Sequence, residues 1–350
     1  MGFFDRSSQP VDDIQERFLQ RITNIKFKNV LQRLKNKIVG NEEKITKLLS
    51  TLYFHYKSYQ MDKTNHDSTC ILITGSTGSG KTYITQNVLE ELEIPYVKIS
   101  AASLSSSGYQ GQSLNQTYLS LEQKVGSNLA DIGVYWIDEM DKLQDFSKEG
   151  KVSKADVQDE LLNWVEGSNY QIKRETESGK ETFEINTTNN IFIFTGSFSG
   201  VEKNYSQLVG FAKKQSNNRN TLKKYDYKVT RELLKEQGVK EELLGRIGVI
   251  LKINPIKSKE KLFDMVEKDD TLVNRYKSLL NKRDIQLTIQ DSYKHRLPDQ
   301  INFGFREIKN QIKSDLSDIF YKLEIEQENT QITQVCLTEQ GVELKKKGEE

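Results

Sequence analysis

The chain has only two cysteines, Cys70 and Cys336, too few for a disulfide framework or a four-thiolate zinc site. Its three histidines, His55, His66 and His295, are scattered without metal-ligand spacing. A reduced, cytoplasmic compartment is the plain reading. Long apolar runs are missing too. None approaches the roughly 20 residues that cross a bilayer, and the opening MGFFDRSSQP has neither the basic region nor the apolar stretch of a signal peptide. No membrane role is expected. Nor is either sign of charge in excess. Lys and Arg number 51 against 50 Asp and Glu, whereas a protein gripping nucleic acid over a large surface usually carries a basic surplus.

The chain does have length and pattern. Its 350 residues suffice for about two domains with sizeable cores. Over residues 12–38, Ile14, Phe18, Ile22, Ile25, Leu31 and Leu34 recur close to helical spacing. Gly40-Asn41 interrupts that pattern before a second helical stretch through Ile45, Leu48, Leu49, Leu52 and Tyr53. Five short apolar runs then alternate with helical segments: Cys70–Ile73, Tyr96–Ile99, Val134–Ile137, Ile191–Phe194 and Val249–Ile253. Near-continuous apolar strands separated by helices imply a parallel sheet covered on both faces. The expected fold is therefore α/β, followed beyond Pro255 by a smaller, mainly helical domain. The expected division is a helical extension over 1–37, a large domain over 38–254, a small one over 255–342 and a charged tail over 343–350, disordered from Lys345 on.

Between the first run and its helix lies Gly75-Ser76-Thr77-Gly78-Ser79-Gly80-Lys81-Thr82, the spacing of a P-loop. Glycines there let backbone N–H groups turn inward around phosphate oxygens, and the following helix aims its positive end at them. Lys81 would reach the β- and γ-phosphates of ATP, and Thr82 would ligate Mg²⁺. The third run ends in Asp138-Glu139, at the carboxyl end of a strand where ligands bind in open α/β sheets. Asp138 would hold the Mg²⁺ shell and Glu139 would polarise water for in-line attack. Thr195, after the fourth run, would orient that water, with Ser197 as the alternative. Arg246 precedes the fifth run, placed to reach a neighbouring subunit's γ-phosphate. Arg306 opens a helix in the small domain, from which it would contact nucleotide.

From about Ile25 to Val342 these elements, in this order, resemble the ATPase core of the ClpX family of AAA+ protein unfoldases. Ile38-Val39-Gly40-Asn41-Glu42 is similar to the segment that packs on adenine there, which makes Ile38 and Val39 nucleotide contacts. Gly75–Thr82 resembles its Walker A motif and Val134–Lys142 its Walker B block. Gly245-Arg246 resembles the arginine finger and Gly304-Phe305-Arg306 the sensor-2 arginine. Gly108-Tyr109-Gln110-Gly111 resembles the loop that lines the axial channel of the hexamer, so the resemblance makes Tyr109 the substrate-gripping residue. Gln110 stands where the family has Val, leaving the ring but making the loop more polar.

Leu208-Val209-Gly210-Phe211 resembles the loop that docks on the ClpP peptidase. Its apolar residues read equally as a docking anchor or as packing on their own domain. Lys173–Lys180 lacks the Arg-Lys-His tripeptide of the family's channel entrance, and the two cysteines leave no zinc-binding amino-terminal module. The resemblance implies a homo-oligomer, a hexamer, that uses ATP and Mg²⁺ to thread protein substrates through a ring, rocking its domains around Asn254-Pro255-Ile256. Two other readings compete. A loader or remodeller of nucleic-acid complexes calls for a helix-turn-helix or a basic stripe, and neither is seen. A scaffold that binds ATP only to assemble has no need of Lys81, Asp138, Glu139 and Arg246 together.

Overall fold

A computed structural model describes residues 13–104, 113–143, 154–167, 169–176, 179–199, 229–268, 273–298, 301, 304–326 and 332–346. Its elements are α1 (Asp13–Thr23), α2 (Phe27–Lys37), α3 (Glu42–Met61), β1 (Thr69–Thr74), α4 (Lys81–Glu91), β2 (Tyr96–Ser100), α5 (Leu114–Val125), α6 (Ser127–Ala130), β3 (Val134–Asp138), α7 (Lys154–Val165), β4 (Asn169–Thr176), β5 (Gly179–Asn186) and β6 (Ile191–Gly196). They continue with α8 (Arg231–Lys235), α9 (Glu241–Arg246), β7 (Val249–Lys252), α10 (Lys259–Lys268), α11 (Val273–Asn281), β8 (Gln286–Ile289), α12 (Phe305–Glu326), β9 (Ile332–Thr338) and β10 (Gly341–Lys346). Among the described residues no helix is long and apolar enough to cross a membrane.

The chain forms two compact units. The first comprises residues up to Gln32, Asn41–Ser76 and Lys81–Asn254; the second comprises Arg33–Gly40, Thr77–Gly80 and the chain from Pro255 on. The first unit is built on a five-stranded sheet in the order β2-β3-β6-β1-β7, every neighbouring pair parallel. The five apolar runs of the sequence are these five strands. Ile71–Ile73 and Ile191–Phe194 are wholly buried, as expected of central parallel strands with both faces covered. The carboxyl ends of β1, β6 and β3 lie side by side, and this brings the P-loop and Asp138 to one edge.

Helix α3 buries Ile45, Leu48, Leu49, Leu52, His55, Tyr56 and Tyr59. Helix α1 packs on it through Phe18, whose ring meets Tyr56 edge-on at 5.1 Å. The Tyr56 hydroxyl donates to the Ile132 carbonyl at 3.0 Å. His55 and His66, apart in sequence, come together with ring centroids 4.5 Å apart. The Asn189 carbonyl, 3.0 Å from His55 Nε2, can only accept, so that nitrogen carries the proton and Nδ1 accepts from the Thr69 hydroxyl at 2.9 Å.

Burial, with the nearby His66 adding to it and the Asn189 bond opposing, pushes the His55 pKa down to about 3. A depressed folded-state pKa means the unfolded chain takes up the proton first. The neutral His55 therefore contributes its full stability above its ordinary value of about 6.5 and loses it as pH falls toward 3. Urea unfolding is expected to lose about 1 kcal/mol per pH unit below about pH 6.5, and His55→Gln to flatten that slope. Equal slopes in the two proteins would remove His55 as the cause.

The second unit holds a three-stranded sheet in the order β10-β9-β8 alongside its helices. Helix α12 lays Ile308, Ile312, Leu316, Ile319 and Leu323 into its core. Asp315, one position before Leu316, is buried as well and accepts two bonds from Arg296 at 3.1 Å and one from the Tyr293 hydroxyl. Burial raises that carboxyl and the Arg296, Tyr293 and Gln311 bonds outweigh it, holding the group below its ordinary range. The charged end is shorter than its composition suggests. Glu343–Lys346 pair antiparallel with β9, because Val342 and Leu344 alternate with the charges and are half-buried. Residues 347–350 lie outside the described set.

Candidate active site

The loop after β1 turns through three glycines of positive φ, Gly75 at 153°, Gly78 at 77° and Gly80 at 96°, a path that residues with a Cβ adopt rarely. It delivers the chain into α4, whose first residue is Lys81. The Lys81 ammonium curls back over the loop and donates to the carbonyls of Gly75 at 2.7 Å and Ser76 at 3.0 Å. The hydroxyls of Thr74 and Ser79 are buried and find no hydrogen-bond partner among the described residues. Such orphaned donors are costly. Together with the loop amides, Lys81 and Thr82, they make a donor set that fits a polyphosphate.

Beside this loop stands a network centred on Asp138, at the end of β3. Its Oδ1 accepts from the Thr195 hydroxyl at 2.5 Å and from the Glu139 backbone N–H at 3.0 Å. Its Oδ2 faces the Lys98 ammonium at 2.7 Å. Burial pushes the Asp138 carboxyl up, but the bonds from Lys98 and Thr195 and the Lys98 charge outweigh it and hold the group below its ordinary range. Thr195 is fully buried. Its oxygen accepts from the Trp136 indole N–H at 3.0 Å while its hydrogen goes to Asp138. The sequence reading gives Thr195 to the attacking water. In the structure its hydroxyl bridges Trp136 and Asp138, whose side chains lie on the same face of the sheet.

Glu139 sits at φ 60°, a left-handed conformation that costs a residue with a Cβ energy and clusters at functional sites. Its carboxylate accepts from the Ser100 hydroxyl at 2.8 Å. Ser197, the other candidate for the water, is bonded through its N–H and hydroxyl to Asp141 at 2.9 and 2.8 Å. Arg246, at the end of α9, forms a 2.7 Å ion pair with Glu166. The β4–β5 hairpin carries Arg174, paired with Glu122 and stacked 5.1 Å from the Phe183 ring centre.

In the second unit, Ile38 is buried and Val39 half-buried. Arg306 is exposed in the first turn of α12. Gly304, at φ 58°, lies in that unit against Gly78, where a Cβ would stand 2.3 Å from the Gly78 oxygen, so only glycine fits. Tyr109, Gln110 and Leu208–Phe211 lie outside the described residues.

Residues 71–200 match the family described as "ATPase family associated with various cellular activities (AAA)". That span runs from β1 through the P-loop and Asp138-Glu139 to just beyond Thr195. Outside it, similarity extends along most of the chain to proteins named "ATP-dependent Clp protease ATP-binding subunit ClpX". The one from Bacteroides thetaiotaomicron is 26% identical over 310 residues, 82% of this chain and 74% of that protein. The one from Borrelia duttonii is 25% identical over 345 residues, covering 90% and 78%. The one from Treponema denticola is 24% identical, covering 81% and 74%. The chain carries an AAA-type ATPase segment and is similar to ClpX along most of its length.

Two residues that meet Asp138 and Glu139 could not be singled out from the sequence, Lys98 and Ser100 on β2. A partial signal was present. Lys98 is a lone charge inside the apolar run Tyr96–Ile99, and such a charge in a strand calls for a partner.

Proposed function

We propose that this ATPase is a protein unfoldase or remodeller that acts as a homohexameric ring in the cytoplasm and draws polypeptide through its channel. The observation that carries the hydrolytic half of this reading is the meeting of the P-loop with the Asp138 network at adjoining strand ends. Bound Mg²⁺·ATP would supply the phosphoanhydride to be cleaved and the metal charge that eases its cleavage. Loop amides and Lys81 would bind the phosphates, with Thr82 and Asp138 holding the metal. Thr195 would keep Asp138 in its rotamer, and Glu139 would take a proton from the attacking water. Arg246, turned from Glu166 toward a neighbouring subunit, would complete that subunit's site, and Arg306 would sense nucleotide.

The mechanical half is supported by the extent of the likeness to ClpX, which spans far more of the chain than the ATPase motifs. The name of those relatives places them as subunits of a protease, so a ClpP-like peptidase reached through Leu208–Phe211 belongs to the same proposal. The test is the coupling ratio. Tyr109→Ala is expected to lower reporter-protein molecules unfolded per ATP hydrolysed by about tenfold or more, as loss of an aromatic anchor would. An unchanged ratio would remove Tyr109 from the gripping role.

A further inference from the structure

Strands β2 and β3 pair in parallel with Lys98 opposite Trp136 and Ser100 opposite Asp138. Alternate residues of a strand share a face, so these four side chains lie together. The Lys98 ammonium lies over the indole, its nitrogen 4.5 Å from the Trp136 ring centre, and pairs with Asp138 Oδ2. The two Asp138 oxygens are thus held in different ways. Oδ1 is fixed by groups with little freedom, a buried threonine hydroxyl and a backbone N–H. Oδ2 is held by the end of a flexible side chain on an edge strand, 38% exposed against 17% for Asp138 itself. An ammonium and a divalent cation cannot share that oxygen without strong repulsion.

We propose that Lys98 is an internal counter-ion of the ATPase site: it occupies the metal-facing oxygen of Asp138 and is displaced when Mg²⁺ arrives with ATP. The inference rests on the nucleotide reading of the site and adds a residue to it. Lys98 neutralises Asp138 and keeps it oriented, and it sets how much Mg²⁺ is needed before ATP is held. Displacement lifts a cation off the Trp136 ring, so the step carries its own optical signal. Lys98 is a positioning residue, acting on nucleotide only through Asp138.

The test uses the full chain with Glu139→Gln, so that ATP is not consumed. ATP binding by equilibrium dialysis and Trp136 emission are both followed while Mg²⁺ is raised from an EDTA baseline. Lys98→Met and Lys98→Gln are expected to reach half-saturation at about three- to tenfold lower Mg²⁺, the effect of removing one partly exposed ion pair. They are also expected to lose the Mg²⁺-dependent emission change, and Lys98→Arg to keep both behaviours. Two neutral variants guard against one of them failing to fold. A Mg²⁺ midpoint unmoved in either folded neutral variant overturns the Lys98 proposal alone. So does a loss of ATP binding that is equal with and without Mg²⁺, because Lys98 would then be a phosphate ligand. Absence of ATP binding by the parent at any Mg²⁺ overturns the nucleotide reading as well.

Discussion

Glu139→Gln is expected to bind ATP as the parent chain does and to release phosphate about 10²- to 10⁴-fold more slowly, the usual contribution of a positioned general base. The substitution removes the proton acceptor and little else. Glutamine has the same length, and its amide oxygen can still accept from the Ser100 hydroxyl that now meets the carboxylate at 2.8 Å. The left-handed backbone at Glu139 and its N–H bond to Asp138 are unaffected by the side-chain change. Binding and turnover should therefore separate cleanly. Turnover within a few-fold of the parent would move the base elsewhere. A variant that also lost ATP binding would make Glu139 a ligand and not a base. Because it holds ATP without consuming it, the same variant should retain protein substrates, and a peptidase if one docks, for identification by mass spectrometry.

Lys81→Ala is expected to act on the other half of the site and weaken ATP binding about 10- to 100-fold, the loss of a charge-assisted contact to phosphate. Lys81 is tethered to the Gly75 and Ser76 carbonyls at 2.7 and 3.0 Å, within the loop whose amides would surround the same phosphates. Its substitution should thus cost affinity while leaving the strand core, and so the thermal midpoint, nearly unchanged. Unaltered affinity by calorimetry would place the phosphates away from this loop. A large drop in the melting temperature would instead give Lys81 a structural role.

Much of this site could be read from the chain alone, for a physical reason. A phosphate cradle needs glycines, a lysine and a hydroxyl within eight consecutive residues, so Gly75–Thr82 carries its own signature. The central parallel strands are buried on both faces, so Ile71–Ile73, Val134–Ile137 and Ile191–Phe194 stand out as apolar runs. What escaped depends on register between segments distant in sequence. Lys98 acquires its meaning only when β2 pairs with β3 and sets it beside Asp138. The Thr195 bond to Asp138 was not legible, since no local pattern tells whether a hydroxyl at a strand end turns toward solvent or toward a neighbouring strand. The sheet β8-β9-β10 was missed because β8 has four residues and β10 carries three charges among its six, too short or too polar to stand out against the helices around them. His55 and His66 looked scattered because only the fold brings α3 and the loop before β1 together.

The most direct test of the ATPase centre is steady-state phosphate release by the purified chain under saturating Mg²⁺·ATP, run beside Glu139→Gln. Continuous turnover by the parent is expected, with at least a hundredfold less, in round terms, from the variant. Equal rates in the two proteins, or no turnover by a parent that binds ATP, would contradict the assignment of hydrolysis to Asp138-Glu139.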